Sequence, residues 1–192
     1  MKMIKRVVIA TAKEKTADTL RRILAPLASG FRVSKDASAA GRILSEEQCG
    51  MLIVNTPLTD ETGVEFAMRI ALRTEIPVLL LVDTAAYEEI LYQTRGSGIF
   101  VLRRPVTAEI IVQAAQLLVI ASEKASRYAA EAARLRRRLE DLNVVSRAKL
   151  LLIEKERMTE EEAHHMLEHY AMDHSVDKKE AAMQVIRKYE EK

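Results

Sequence analysis

Polar or small side chains follow several short apolar segments of this chain, and their types limit the chemistry that these positions can perform. Thr11 and Ala12 follow one apolar segment, Asn55 follows the segment 51–54, and Arg104 follows a third. A phosphoryl-accepting site there would need an aspartate nucleophile and carboxylate oxygens for Mg²⁺, which these side chains do not provide. The segment ends also hold no carboxylate pair, no Cys–His pair and no glycine-rich phosphate loop, so we do not expect an enzyme.

Histidines are a second group that could do chemistry, and all four lie in the C-terminal part of the chain. His165 and His169 are four residues apart, so on a helix they would share a face and could form half of a metal site. No set of acidic or cysteine partners completes a recognisable site. We therefore expect solvated histidines, and neither a metal nor another cofactor. The four positions are His164, His165, His169 and His174.

Basic residues of the segment 144–192 are candidates for binding nucleic acid. The segment has nine Lys and Arg against eleven Asp and Glu, a net charge of minus two, so its bulk charge does not attract a phosphate backbone. Binding would depend on a local basic face, which is feasible because the acidic residues concentrate around 160–162. The candidates are Arg147, Lys149, Lys155 and Arg157 in one group, and Lys178 and Lys179 in another.

The elements that would position the strand-end residues alternate along the N-terminal half. Five apolar segments, at 6–10, 31–34, 51–54, 77–82 and 98–102, are separated by helical patterns. This alternation predicts an α/β domain with a five-stranded parallel sheet and helices on both faces. In such a fold the functional groups lie at the carboxyl ends of the strands. The residues at those ends are Thr11, Ala12, Asn55, Val82, Asp83, Arg103 and Arg104.

A long helix is predicted after the last proline, Pro105, because neither glycine nor proline occurs from Val106 to Lys192. Apolar residues recur at alternating intervals of three and four from Ile111 to Leu142, which is typical of a coiled-coil seam and predicts a homodimer. The alternative is a long helix that packs on its own domain alone. We expect the early part of the helix to serve also as the last helix of the α/β domain. The predicted dimer seam is Leu118, Ala121, Ala125, Tyr128, Ala132, Leu135, Leu139 and Leu142.

Three helices are predicted in the tail, where they would form a small bundle. The first continues the coil and ends near Arg157. The second begins at Thr159, which forms a capping-box pattern with Glu162. Its apolar stripe contains Ala163, Met166, Leu167, Tyr170 and Ala171, and the third helix, after Asp177, has a stripe of Ala182, Val185, Ile186 and Tyr189.

Composition agrees with an intracellular protein. Hydrophobic residues make up 48% of the 192, the net charge is +2, and the lone Cys49 cannot form an internal disulfide, which suits a reducing cytoplasm. No apolar run approaches the roughly 18 residues of a membrane span, and the N-terminal run is too short for a signal peptide. We expect a soluble cytoplasmic protein that does not contact a membrane.

The segment from Arg147 to Ala182 resembles the ANTAR domain, the RNA-binding output module of bacterial antitermination regulators. Its landmarks are "RAK" followed by Leu152, then "MTEEEA", then "YAMD" before a lysine-bearing helix with Ala182. His164 departs from the aromatic residue that is frequent at its position. The resemblance implies that the partner is leader RNA with paired hairpins and exposed loop bases.

The N-terminal segment resembles the receiver domain of two-component response regulators, which has a flavodoxin-like fold. Gly63, eight residues after Asn55, matches a landmark of that loop, and Arg104–Pro105 occupies the usual Lys–Pro place. The resemblance implies two acids after the first strand, an aspartate after the third, Ser or Thr after the fourth and Lys after the fifth. The residues at these five positions are Thr11, Ala12, Asn55, Val82 and Arg104.

All five positions differ, so we predict a pseudo-receiver with a degenerate phosphorylation pocket. Arg104 is expected to contact Asn55 or Asp83, in a structural role or to hold an anion. Control would then come from a sensor or other partner protein, from a small ligand in the pocket, or from abundance alone.

The resulting hypothesis is a dimeric antiterminator that binds hairpins of nascent leader RNA and prevents a terminator from forming. The predicted parts are a pseudo-receiver domain at 1–120, a coiled-coil dimerisation helix at 107–143 and an ANTAR domain at 144–192. Two alternatives stay open. One is a protein-interaction scaffold whose tail only stabilises a dimer. The other is a DNA-binding regulator whose three helices imitate a helix-turn-helix.

Overall fold

A computed structural model describes residues 3–190 of the chain, apart from the side chain of Glu190. The outermost residues of the predicted ranges 1–120 and 144–192 lie outside this part. Internal contacts divide the chain into an N-terminal unit, Met1–Ser126, and a C-terminal unit, Arg127–Lys192. Among the described residues no helix is both long enough and apolar enough to cross a membrane.

The five predicted apolar segments form one parallel sheet in the N-terminal unit, with strand order β2-β1-β3-β4-β5. The strands are β1 Val7–Thr11, β2 Phe31–Ser34, β3 Met51–Asn55, β4 Val78–Asp83 and β5 Phe100–Arg104. Four of them extend one or two residues beyond the predicted segments. The polar end residues still pair with the neighbouring strand, so that Thr11 lies opposite Asn55 and Asp83 lies opposite Arg104.

Helices cover both faces of this sheet, as the alternation predicted. Successive strand residues point to opposite faces, and each face has its own core of buried residues. One core contains Val8, Leu52 and Leu80 and is covered by α2, α3 and α4, while the other contains Ile9 and Ile53 and is covered by α1 and α5. The helices are α1 Glu14–Leu24, α2 Ala37–Glu46, α3 Val64–Arg73, α4 Tyr87–Gln93 after a 3₁₀ turn Thr84–Ala86, and α5 Ala108–Glu156.

The first turns of α5 belong to the N-terminal unit. Ile111 and Ala114 are buried in the same core as α1, and Leu118 is partly buried against it. The expectation that the early part of the long helix completes the α/β domain is therefore confirmed. Leu118, which the heptad pattern places in the dimer seam, packs partly on its own unit because it lies on the same helix face as Ile111 and Ala114.

As far as residue 190, the C-terminal unit contains three helices, as predicted: the last part of α5, then α6 Glu160–Asp173 and α7 Lys178–Glu190. Its core consists of Ala148, Leu152, Ala163, Leu167, Ala182 and Val185. Met166 was predicted on the apolar stripe of α6 but is 37% exposed. It is not part of the core of this unit, which contains its stripe neighbours Ala163 and Leu167.

The helix breaks in this unit use no glycine. Arg157 after α5 and Ser175 after α6 have φ angles of 56° and 53°, in the left-handed region. At the second break the amide of Val176 donates to the carbonyl of Ala171 at 3.0 Å and the amide of Ser175 donates to the carbonyl of Met172 at 3.2 Å. This pair of hydrogen bonds is a Schellman motif, which satisfies carbonyls that the end of α6 would otherwise leave free.

Candidate functional sites

Polar side chains at the carboxyl ends of the strands form a strand-end network of Thr11, Asn55, Asp83 and Arg104. The amide of Asn55 donates from Nδ2 to Oγ1 of Thr11 at 3.0 Å, and its Oδ1 accepts from Nη1 of Arg104 at 3.1 Å. Thr11 and Asn55 are each 1% exposed. Both ends of the amide therefore have a partner, as a buried polar group requires.

Arg104 links the network to the neighbouring strand β4. Its Nη2 lies 2.7 Å from Oδ1 of Asp83, and the side chains of Arg104 and Asp83 are 20% and 69% exposed. The expected contacts of Arg104 with Asn55 and Asp83 are thus both present. The buried Nε of Arg104 has no hydrogen-bond partner within residues 3–190. Asp83 neutralises the guanidinium, and Asn55 fixes its orientation.

The other two predicted pocket residues take no part in the network. Val82 is fully buried in the sheet core, and Ala12 has no polar atom in its side chain. Sequence reasoning missed Thr84, whose hydroxyl donates to the backbone carbonyl of Arg104 at 2.6 Å. Its position directly after β4 was the signal available. Within the described residues no group of three or more His, Cys, Asp or Glu side chains is arranged to hold a metal ion.

A separate cavity of about 590 Å³ lies at the amino ends of the strands. It is lined by Ile4, Cys49, Pro77 and Val119 together with the carboxyl-bearing Glu46. Cys49 is half-buried, and burial raises the pKa of its thiol. This cavity is distinct from the strand-end network, which occupies the carboxyl ends.

The C-terminal unit contains a second candidate site, a concavity of about 440 Å³ that we term the basic groove. Three of the six predicted RNA-binding residues line it, namely Lys149, Lys178 and Lys179. Arg147, Lys155 and Arg157 do not. The remaining lining residues are Arg138, Asp141, Leu142, Val145, Ser146, His164 and Asp177.

Every lysine of the basic groove forms an ion pair with a carboxylate. Lys149 Nζ lies 2.8 Å from Glu160 Oε1, and Lys178 Nζ lies 2.8 Å from Glu168 Oε1. Lys179 Nζ lies 2.7 Å from Asp141 Oδ1. These contacts lower the pKa of Glu160 and of Glu168, and the Asp141 carboxylate raises the pKa of Lys179. Sequence reasoning missed the three acidic partners because each lies on a different helix from its lysine.

The remaining candidates lie outside the groove. Lys155 pairs with its neighbour Glu154 at 3.1 Å, and Arg157 occupies the left-handed position after α5. His164, which the sequence marked only as a departure from an aromatic residue, lies at the groove with Nε2 3.1 Å from Glu168 Oε1. His174 stacks on Tyr170, with 4.0 Å between the ring centroids.

The middle of α5 exposes large apolar side chains. Tyr128, Leu135, Leu139 and Leu142 are between 56% and 61% exposed, and all four belong to the predicted dimer seam. Exposed apolar residues at heptad spacing on one helix are typical of a surface that a second helix covers.

Comparison with known proteins found a family model that matches part of the C-terminal unit and solved structures that share the fold of the N-terminal unit. The family model described as the ANTAR domain matches residues 133–186. A search of curated proteins found no match. Among solved structures, the signal receiver domain of an HD domain-containing protein from Pseudomonas fluorescens Pf-5 has a TM-score of 0.59 at 16% identity, with 66% of this chain and 95% of that chain covered.

Two further structures show the same fold. A CheY-like response regulator receiver domain protein from Methanospirillum hungatei JF-1 has a TM-score of 0.57 at 17% identity, covering 64% of this chain and 98% of that one. A structure described as adenylate cyclase from Rhodopirellula baltica has a TM-score of 0.62 at 12% identity, covering 67% and 97%. Identities this low show the fold alone. Residues 133–186 thus match the ANTAR domain, and the N-terminal unit has the receiver fold.

Proposed function

We propose that the protein is a dimeric RNA-binding antitermination regulator that binds hairpins of nascent leader RNA and prevents a terminator from forming. The observation that carries this proposal is the basic groove, which lies in the segment matched by the ANTAR domain. Its lysines come from α5 and α7, and the half-buried Val145 of α5 also lines it. Cations beside an apolar side chain suit a phosphate and an unstacked loop base at the same time.

The N-terminal unit would act without phosphorylation, as a pseudo-receiver. Asn55 occupies the end of β3, and the strand-end network already satisfies its amide and neutralises Arg104. An amide is no nucleophile for a phosphoryl group, and Thr11 and Ala12 offer Mg²⁺ no carboxylate. Control would come from a sensor protein, a small ligand or abundance. The cavity beside Cys49 gives such a ligand or partner a place apart from the strand-end network.

Dimerisation would occur through α5. The exposed side chains of Tyr128, Leu135, Leu139 and Leu142 support a seam that begins after the N-terminal unit. Two copies of the groove in one dimer would bind two hairpins of the same RNA, which raises the affinity through effective concentration. The domain ranges 1–120, 107–143 and 144–192 remain part of this proposal.

A protein-interaction scaffold is the second candidate, because the three groove lysines are already paired with carboxylates. In that case the C-terminal unit would stabilise a dimer and would not bind RNA. The receiver fold and the ANTAR domain are regulatory families, so catalysis is not part of either proposal. The adenylate cyclase resemblance is one of fold alone at 12% identity.

RNA binding distinguishes the two candidates. We would measure the affinity of the purified protein for a dual-hairpin leader RNA and for the same RNA with mutated loops, at two salt concentrations and without a phosphodonor. Lys149→Ala and Lys179→Ala should weaken binding to the native loops. Lys188→Ala is the matched control, because Lys188 also lies on α7 in an ion pair, with Glu156, but does not line the groove. Equal affinity for native and mutated loops would reject the antiterminator.

A further inference from the structure

We propose that the basic groove is a masked site, in which carboxylates of the same unit occupy the lysines until phosphates of a fitting RNA loop replace them. This inference rests on the proposed function and concerns its regulation. Such masking would let a module with a net charge of minus two bind a fitting RNA and reject other polyanions.

The first observation is the arrangement of the ion pairs. Each lysine has its own carboxylate, and each pair joins two different helices: Lys149 on α5 with Glu160 on α6, Lys178 on α7 with Glu168 on α6, and Lys179 on α7 with Asp141 on α5. The charges of all three groove lysines are therefore neutralised in the free protein. An approaching phosphate meets no unpaired ammonium among these three.

The second observation is the accessibility of the pairs. The side chains of Lys178 and Lys179 are 40% and 42% exposed. In the third pair Glu160 is 77% exposed, whereas Lys149 is 19% exposed. In each pair water reaches at least one of the two charged groups, and this screens the attraction and keeps the pair weak. A phosphate oxygen, which accepts a charge-assisted hydrogen bond equally well, can exchange with the carboxylate.

Masking should make the affinity depend on the shape of the RNA. A bare duplex or an unstructured strand gains only phosphate contacts, which the lost carboxylate contacts offset. A hairpin loop that also places a base against Val145 gains additional apolar contact. Only such a hairpin loop should gain more binding free energy than the protein loses when its ion pairs break.

Masking also predicts an unusual salt dependence. Binding of an unpaired lysine to RNA releases counterions and makes the affinity fall steeply with salt. A lysine that exchanges a carboxylate for a phosphate leaves that carboxylate to take up a cation, so the two effects nearly cancel. The affinity of the wild-type protein should therefore fall less steeply with salt than its number of phosphate contacts implies.

Two neighbouring residues of α6 provide the test. Glu160→Gln removes the negative charge that pairs with Lys149, whereas Glu161→Gln changes the net charge equally at an exposed residue that forms no ion pair within residues 3–190. We would measure the affinity of both variants and of the wild type for native-loop hairpins, loop-mutated hairpins and an unstructured RNA, over a series of salt concentrations. Circular dichroism would establish that each variant is folded.

The expected result is specific to Glu160→Gln. Its affinity for the loop-mutated and unstructured RNA should rise about twofold to fivefold, the range that one exposed ion pair supports. The slope of log affinity against log salt should steepen by about 0.7 to 0.9, the value for one additional phosphate contact. Native-loop preference should fall, and Lys149→Gln should abolish each of these effects of Glu160→Gln.

The outcomes separate the two proposals. If the wild type prefers native loops but Glu160→Gln and Glu161→Gln behave alike in affinity and slope, masking is rejected and the RNA-binding function stands. If neither the wild type nor Glu160→Gln binds hairpin RNA, the function fails and masking fails with it. Binding that appears only in Glu160→Gln would support masking directly.

Discussion

Asn55, at the end of β3, occupies the position where a receiver domain would have its aspartate, but it carries an amide that is hydrogen-bonded on both sides. Its amide donates to Thr11 and accepts from Arg104, two partners on the strands at either side of the β3–β4 pair. A carboxylate could accept from Arg104 in the same way. It could not donate to Thr11, so the bond between the two residues would have to reverse, with the Thr11 hydroxyl as donor.

Asn55→Asp should therefore not create a phosphorylation site. Thr11 and Ala12 would still supply no carboxylate for Mg²⁺, and Arg104 would pair with the introduced carboxylate instead of a phosphoryl oxygen. We expect no phosphorylated protein after incubation with acetyl phosphate and Mg²⁺, as measured by intact-protein mass spectrometry. A control that also carries Thr11→Asp and Ala12→Asp restores the missing acids. Phosphorylation of the single variant would contradict the pseudo-receiver proposal.

Individual residues also show which contacts of the two candidate sites could be predicted from the sequence and which could not. Contacts at the carboxyl ends were predictable, because parallel strands bring their ends to one edge and Arg104 had few acidic or amide neighbours there. The partners of Lys149 and Lys179 were not, since Glu160 and Asp141 lie on other helices and the pairing depends on how three helices pack. Periodicity identifies a helix face but does not identify the neighbour of that face.

At the scale of the element, the start of α6 is held by a capping box that the sequence predicted. The Thr159 hydroxyl accepts from the Glu162 amide at 3.2 Å, and the Thr159 amide donates to a Glu162 carboxylate oxygen at 2.8 Å. These bonds satisfy two donors that the first turn would leave free. The helix ends were harder to predict, because Arg157 and Ser175 adopt left-handed conformations that glycine usually supplies.

Removal of the cap gives a stability prediction. Thr159→Ala should lower the free energy of unfolding of the C-terminal unit by about 1 kcal/mol, the usual value for loss of an N-cap hydroxyl. Urea unfolding followed by far-ultraviolet circular dichroism would measure the change. Thr159→Ser keeps a hydroxyl at the cap and should retain most of the stability. Equal loss in both variants would mean that the cap hydrogen bond is not responsible.

The same cap predicts how stability depends on pH. Hydrogen bonds from the Thr159 amide and hydroxyl lower the pKa of Glu162 below its usual 4.5. A carboxyl whose pKa is lowered in the folded state contributes stability above its unfolded pKa and loses that contribution as the pH falls through the folded pKa. The C-terminal unit should therefore lose stability progressively once the pH falls below about 4.5.

Glu162→Gln tests this dependence. The variant cannot titrate at the cap, so its unfolding midpoint should decrease less than that of the wild type between about pH 6 and about pH 3, a range that spans carboxyl titration. Part of the decrease should persist, because Lys149 and Lys178 also lower the pKa of Glu160 and of Glu168. An unchanged pH profile would show that Glu162 is not linked to folding.

At the scale of the whole molecule, α5 takes part in both units. Its early residues Ile111 and Ala114 are buried in the core of the N-terminal unit, and Ala148 and Leu152 are buried in the core of the C-terminal unit. Between them lies the stretch whose large apolar side chains are exposed in the single chain. The heptad pattern was readable from sequence across this whole length. The sequence did not show which residues of the pattern pack inside a unit and which are exposed. Leu118, for example, fits the heptad pattern but packs on the N-terminal unit.

The exposed seam yields the last prediction. Leu135→Lys combined with Leu139→Lys should convert a dimer into a monomer, because two ammonium groups would lie where leucines 56% and 61% exposed in one chain would otherwise be buried by a second helix. Light scattering coupled to size-exclusion chromatography would measure the mass. Affinity for a dual-hairpin RNA should fall by about a hundredfold, whereas affinity for a single hairpin should change little, since only the linked binding is lost.

Leu150→Lys provides the matched control for this variant. Leu150 lies on the same helix and is 65% exposed, but it falls outside the alternating intervals of three and four that define the seam. The control should remain dimeric, because a lysine there keeps its charge in water. If the seam variant is still a dimer, or if the control dissociates as readily, association depends on another surface of the protein. If the wild-type protein is monomeric at micromolar concentration, dimerisation through the seam is not part of its function. RNA binding by a single groove would then still be tested by comparing native and loop-mutated hairpins.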